Sequence, residues 1–198
     1  MFVIIPAKPL AQAKSRLAAM LSPAERIQLS RGLLQRTIGL ARQVGEVVVI
    51  SRDAAVRRLA KQAGAWALVE SGNNLNQALM QASTWVMMRG GQSTLILPAD
   101  LPHLQLTDLV NLVNVAQTAP AAVIAPCRRL DGTNALLLRP PDLIEFAFGP
   151  GSFKAHQQAV QTAGVEPVIY HSATLAFDLD LPEDLHQLGP VVTYQPPA

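Results

Sequence analysis

Lys8, Lys14 and Arg16 crowd into one segment directly after the apolar run Phe2-Val3-Ile4-Ile5. A single carboxylate, Asp100, follows the apolar run Leu95-Ile96-Leu97 across Pro98-Ala99, with Pro102 just beyond it. Near the other end of the chain, Asp178 and Asp180 alternate with Leu179 and Leu181. Cations at such spacing can converge on a polyphosphate if their segment folds back on itself. Two carboxylates side by side repel and call for a cation, most naturally a divalent metal with oxygen ligands. Together these groups could carry out magnesium-dependent substitution at a phosphorus centre of a nucleoside triphosphate. Each also has a plainer reading. The cations would serve as a solvated basic loop, Asp100 as a turn or cap residue, and Asp178 and Asp180 as a turn residue and the cap of the last helix.

The elements that must position these groups read as alternating strands and helices. Short continuous apolar runs are expected to form strands at 2–5, 46–50, 65–69, 95–97, 121–126 and 135–138, that at 95–97 buried on both faces. Val165–Tyr170 is expected to be an edge strand, since Pro167 cannot donate to a ladder. Thr174–Asp180 is expected to be the last strand, which would put Asp178 and Asp180 on one face. Ser22-Pro23-Ala24-Glu25 has the form of a capping box and opens a helix reaching about Gln43. Asp53 is placed to cap a helix over 54–62. Further helices are expected from about Leu75 to Arg89, from Thr107, from Phe153 to Ala163 with Ser152 as N-cap, and briefly after Leu181. Ser152 would combine a hydroxyl with free helix N–H groups, a capping arrangement that also suits an anion. Asn74 and Asn76 stand where they could cap a helix or read the edge of a base. This alternation predicts an α/β fold: a mixed, mainly parallel sheet with helices on both faces. Ligands of such sheets meet the carboxyl ends of the strands, where the basic segment and Asp100 fall.

Composition narrows the classes. The chain has 198 residues, is 49% hydrophobic and carries a formal net charge of +2. That suits one domain over 1–188, with a proline-rich tail over 189–198 that packs on a neighbouring chain or stays loose. The charge is small and unclustered, so nucleic acid is not an expected partner. Cys127 is the only cysteine, which rules out an intrachain disulfide and suits a reducing cytoplasm. The first apolar run stops at Pro6, too short for a signal peptide or a membrane span.

Five stretches in order carry a family resemblance. They are Pro6-Ala7-Lys8-Pro9-Leu10 with Ala13-Lys14-Ser15-Arg16-Leu17, Pro98-Ala99-Asp100-Leu101-Pro102, Gly132-Thr133-Asn134, Phe148-Gly149 with Ser152-Phe153 and His156, and Asp178-Leu179-Asp180-Leu181-Pro182-Glu183-Asp184-Leu185. The chain resembles the 2-phospho-L-lactate and phosphoenolpyruvate guanylyltransferases of deazaflavin coenzyme (coenzyme F-420) biosynthesis. The resemblance implies a nucleotide-diphospho-sugar-transferase-like, Rossmann-like fold. It also implies a reaction joining GTP to a phosphorylated three-carbon acid with release of pyrophosphate. By similarity, Thr133, Gly149 and Ser152 would hold the acid, and Asp100, Asp178 and Asp180 would hold Mg2+. Ala7, Lys8, Lys14 and Arg16 would face the nucleotide, with Lys8, Lys14, Arg16 and Asp100 serving catalysis. Ser51, Asn74 and Asn76 are further candidates for guanine and ribose contacts.

Two departures stand out. Asp131 replaces a glycine often found before Gly132, and the Asn-rich Gly72–Asn76 replaces a shorter glycine–leucine–asparagine form. The acid is left open among phosphoenolpyruvate, 2-phospho-L-lactate and 3-phosphoglycerate, and a homodimer is expected from the apolar composition and the tail. The competing readings are another nucleotidyltransferase of this fold and a non-catalytic nucleotide-binding protein. The first of these would be expected to carry a glycine-rich loop after strand one, and no glycine lies there.

Overall fold

The computed structural model describes residues 1–188. The expected tail over 189–198 lies outside the described residues. In chain order the elements are β1 (Phe2–Pro6), α1 (Pro23–Ala41), β2 (Glu46–Ser51), α2 (Ala54–Gln62), β3 (Trp66–Val69), α3 (Leu75–Met88), β4 (Thr94–Ile96), α4 (Leu106–Asn114), β5 (Ala121–Pro126), β6 (Thr133–Arg139), α5 (Ser152–Thr162), β7 (Val168–Ile169) and α6 (Pro182–Leu185). The strands form one sheet in the order β3-β2-β1-β4-β6-β5-β7. Every pairing is parallel except those of β6, which runs antiparallel to both β4 and β5. The mixed, mainly parallel sheet expected from the sequence is therefore borne out.

The central strands carry continuous apolar runs because both faces are covered. On β1, Val3 and Ile5 pack beneath α1, α2 and α4, while Phe2 and Ile4 pack beneath α3 and α5. Each buried aliphatic side chain contributes roughly 1.5–3 kcal/mol relative to exposure. A third, small cluster joins Leu17, Leu33 of α1 and Leu179. It pins the segment after β1 and the C-terminal segment to the same helix.

Register determines what reaches the ligand edge. Ile4 pairs with Ile96 and Pro6 with Ile50, so β1, β2 and β4 end together. Ile96 pairs with Leu136 of the reversed β6. The amino end of β6, Gly132-Thr133-Asn134, is thereby delivered to the edge where β4 releases Asp100.

Three expectations need correction. Residues 174–180 form no strand. Leu175, Phe177 and Leu179 are buried in alternation with Ala176, Asp178 and Asp180, so the period-two pattern is present. The segment crosses the strand ends rather than joining a ladder, with Arg128 N–H donating to Ala176 O and Leu179 N–H to Asp100 O, both at 3.0 Å. Ser152 is not the N-cap of α5. Gly151 takes that position in left-handed conformation, φ 71°, and Ser152 is the first helical residue. The edge strand expected over 165–170 is only Val168–Ile169. No helix among the described residues is long and apolar enough to cross a membrane.

Candidate active site

Beyond Pro6 the chain leaves the sheet as a basic loop, and two backbone ties set its course. Ala7 N–H donates to Ile50 O at 3.0 Å. Leu10 N–H donates to the Asp53 carboxylate at 3.0 Å, while the other oxygen of Asp53 caps α2 at Ala55 N, 2.7 Å. These amides, that of Leu10 foremost, hold the Asp53 carboxyl below the usual aspartate range. The loop returns through Lys14, whose φ of 55° is left-handed, into a short 3-10 turn over Ser15–Leu17. Burial of Leu17 against Leu179 then fixes what lies alongside: Lys14 and Arg16 meet the C-terminal carboxylates.

Lys14 is the centre of the arrangement. Its Nζ lies 3.0 Å from Asp100 and 3.3 Å from Asp180, with its side chain only 9% exposed. Arg16, largely exposed, approaches Asp180 at 3.9 Å. Asp178 stands next to this pair. Burial pushes its carboxyl above the usual range, and repulsion from Asp180 and Asp100 pushes in the same direction. The segment carrying Asp180 is held by Asp184, whose carboxylate accepts from Asp180 N–H and Leu181 N–H at 2.8 Å each. Asp184 is in turn paired with Arg128, whose guanidinium lies 4.8 Å from the ring centre of Phe177. The sequence reading missed this clamp. Its one signal was an aspartate at the third position of a helix opened by Pro182.

Among the described residues no three His, Cys, Asp or Glu side chains sit at the spacing of a ready-made metal site. Asp100, Asp178 and Asp180 are neighbours, and the Lys14 ammonium stands between two of them. A raised carboxyl pKa also has a stability consequence. The charged form of Asp178 is disfavoured in the fold, so its contribution to stability falls as pH rises through its folded pKa. We expect Asp178→Asn to raise the stability of the ligand-free protein by about 1 kcal/mol at neutral pH. The gain should shrink on acidification in pH-dependent thermal melts, and a loss of stability would show that the charged carboxyl is not disfavoured in the fold.

A cleft of about 770 Å³ opens over these groups. Its walls include Ala7, Lys8, Lys14, Arg16, Arg52, Asn74, Asp100 and Asp180. Lys8 is exposed there and, among the described residues, forms no ion pair within 4.0 Å. Asn74 lies in the wall while its side chain caps α3, accepting from Gln77 N–H at 3.0 Å. Arg52, not anticipated, is oriented by Glu70 at 3.1 Å and by the Gly72 carbonyl.

Two expected nucleotide contacts are placed elsewhere. Ser51 is fully buried, and its hydroxyl accepts from Asp53 N–H at 3.1 Å. Asn76 spends both ends of its amide on the backbone of Phe148, donating to its carbonyl at 3.1 Å and accepting from its N–H at 2.8 Å.

The three residues expected to hold the acid do come together. Thr133 N–H donates to Ser152 Oγ at 3.0 Å, and Ser152 N–H donates to the carbonyl of Gly149 at 3.1 Å. Gly149 has φ 138°, a conformation side chains rarely adopt. Both hydroxyl residues are almost wholly buried. Asp131 does not point at an anion. Its carboxylate accepts from Gly151 N–H at 3.1 Å and its carbonyl from Phe153 N–H at 3.0 Å, fastening the loop before β6 to the start of α5.

The sheet order and its helices on both faces define a nucleotide-diphospho-sugar-transferase-like fold. A solved structure described as a nucleotide-diphospho-sugar transferase, from Desulfovibrio desulfuricans, superposes with a TM-score of 0.77 at 18% identity, covering 96% of this chain and 86% of that one. The chain belongs to the guanylyl transferase CofC like family, whose model matches residues 1–189. It is 43% identical over 189 residues to a phosphoenolpyruvate guanylyltransferase of Rubrobacter xylanophilus, covering 94% of this chain and 92% of the relative. It is 37% identical over 187 residues to a 2-phospho-L-lactate guanylyltransferase of Methanothermobacter thermautotrophicus, covering 93% and 82%. The family expected from the five stretches is borne out, and with it guanylyl transfer.

Proposed function

We propose that this chain transfers the guanylyl group of GTP to a phosphorylated three-carbon acid, releasing pyrophosphate, as a step of deazaflavin coenzyme F-420 biosynthesis. The observation that carries this reading is the meeting of Lys14 with Asp100 and Asp180 at the floor of a basic cleft. Phosphoenolpyruvate is the preferred acceptor, following the name of the relative at 43% identity.

A phosphate oxygen of the acid attacks the α-phosphorus of GTP. A new P–O bond forms as the bond from that phosphorus to the α–β bridging oxygen breaks, and pyrophosphate leaves with the electron pair. The nucleophile is already an anion, so no strong general base is needed. The barrier is the approach of two polyanions, which Lys8, Lys14 and Arg16 lower by binding the triphosphate. Arg52 and Asn74 face the nucleotide from the cleft wall, and Thr133, Gly149 and Ser152 take the acid. The donor set suits Mg2+, which is commonly held by one or two carboxylates together with substrate phosphates. Asp100 and Asp180 would hold it, with Asp178 beside them. When bound, it supplies positive charge to the phosphates during substitution.

A cytoplasmic, dimeric enzyme completes the reading. The exposed apolar side chains of Trp66, Val69 and Met88 at the β3–α3 edge support the dimer.

The test is pyrophosphate release from GTP and Mg2+ with phosphoenolpyruvate, 2-phospho-L-lactate, 3-phosphoglycerate or no acid, beside the sedimentation of the purified protein. Release with one acid alone is expected. Absence of GTP binding overturns the reading.

A further inference from the structure

We propose that His156 is a positioning residue that orients the Thr133 hydroxyl so that its proton is presented to the phosphate of the acceptor. The proposal rests on the reading of Thr133 and Ser152 as acceptor-binding residues. His156 is fully buried on α5, and both ring nitrogens are engaged: Nδ1 lies 2.9 Å from Thr133 Oγ1, and Nε2 lies 3.1 Å from Ala147 N. A backbone amide can only donate, so Nε2 is the bare nitrogen and the ring proton sits on Nδ1. Burial lowers the His156 pKa to about 4, so the neutral ring holds this tautomer at physiological pH.

The polarity then propagates outward. Nδ1–H donates to Thr133 Oγ1, which leaves the hydroxyl's own proton for a different acceptor. Ser152 Oγ is likewise filled from inside by Thr133 N–H, so its proton is also free to donate. Two hydroxyls that accept from the protein interior form a pair of donors with fixed direction, the arrangement an anion requires. With the opposite tautomer, Thr133 would have to give its proton to the ring and turn a lone pair towards the incoming phosphate. The edge of Phe148, whose ring centre lies 4.7 Å from that of His156, holds the ring in place. That ring belongs to the same loop as Gly149.

Two variants separate the ring's two contacts. Asn at 156 places an amide N–H near the position of Nδ1 and can still donate to Thr133. Gln reaches the position of Nε2 and can serve only Ala147. With His156→Gln we expect KM for the acid to rise roughly tenfold or more, the size of losing one hydrogen bond to a charged group. KM for GTP should stay the same, and His156→Asn should recover most of the loss. A merely structural histidine would change both KM values or neither, and a failure of Asn to outperform Gln would overturn the proposal. Nitrogen-15 resonances of the imidazole give a readout that needs no acceptor. Protonated Nδ1 and bare Nε2 are expected, and the reverse pattern would overturn the proposal whatever the substrate proves to be. The expected pattern in a protein that binds no phospho-acid would instead sink the acceptor reading while leaving the tautomer intact.

Discussion

Replacing Lys14 by methionine should produce two opposite effects: weaker catalysis and tighter binding of Mg2+ to the nucleotide-free protein. In the structure the Lys14 ammonium lies between Asp100 and Asp180 and is nearly sequestered from solvent. On the proposed mechanism it occupies the ground Mg2+ would need, so cation and lysine would compete for the same carboxylates. Removing the ammonium ends that competition. It also removes a charge that, on the proposed mechanism, moves to the triphosphate when the metal arrives. Loss of one such preorganised charge costs about a hundredfold to a thousandfold in turnover. Calorimetric titration with Mg2+ and a pyrophosphate-release assay would measure the two effects. Unchanged Mg2+ affinity would show that Lys14 and the cation use different groups. Methionine keeps the stem and the left-handed backbone requirement of position 14, so strain at that position is common to both proteins.

Asp100→Asn is expected to reduce pyrophosphate release by about a hundredfold to a thousandfold while leaving the fold intact. The backbone tie to the C-terminal segment runs through the Asp100 carbonyl, not its side chain, so the substitution does not loosen it. The lost attraction to Lys14 is offset by relief of the repulsion that Asp100 exerts on Asp178. The net stability change should stay within about 1 kcal/mol, the typical size for a single substitution. Thermal melts and steady-state rates on the same preparations decide the matter. Unimpaired turnover would remove Asp100 from the mechanism, and a collapsed melt would make it a structural residue.

The parts of this molecule that were legible in the sequence depend on local pattern. Ile4, Val48 and Ile96 lie in unbroken apolar runs because the sheet is covered on both faces. The capping box at Ser22 and Glu25 forms as expected, as does the Asp53 cap of α2. Asp100 could be read because it follows an apolar run that ends at the sheet edge, and Asp178 and Asp180 could be paired because the residues between and before them are buried in alternation. What was not legible depends on which partner a polar atom finds across the fold. Ser51 and Asn76 have the chemistry to read a base, but Asp53 N–H and the Phe148 backbone engage them first. The segment 174–180 has strand periodicity because alternate residues are buried, and no periodicity reveals that its backbone pairs with loops instead of a ladder. Asp131 stands where a glycine is often found, and only the position of Gly151 shows that its carboxylate is engaged by a backbone amide. His156 carried no local sign of having both nitrogens occupied.

On the proposed function, the reversal of β6 divides the chemistry between two halves of the sheet. Loop 7–17 and Asp100 grow from the parallel half, β3-β2-β1-β4. Thr133, Gly149 and Ser152 grow from β6 and the segment leading into α5. Between the described halves of the site, the Asn76–Phe148 clasp is a direct side-chain thread from α3 to the acceptor loop. Evolution could therefore exchange one small phospho-acid for another by rewriting the second half alone. The machinery that activates the nucleotide would be inherited untouched, and the site would behave as a common engine with an interchangeable socket.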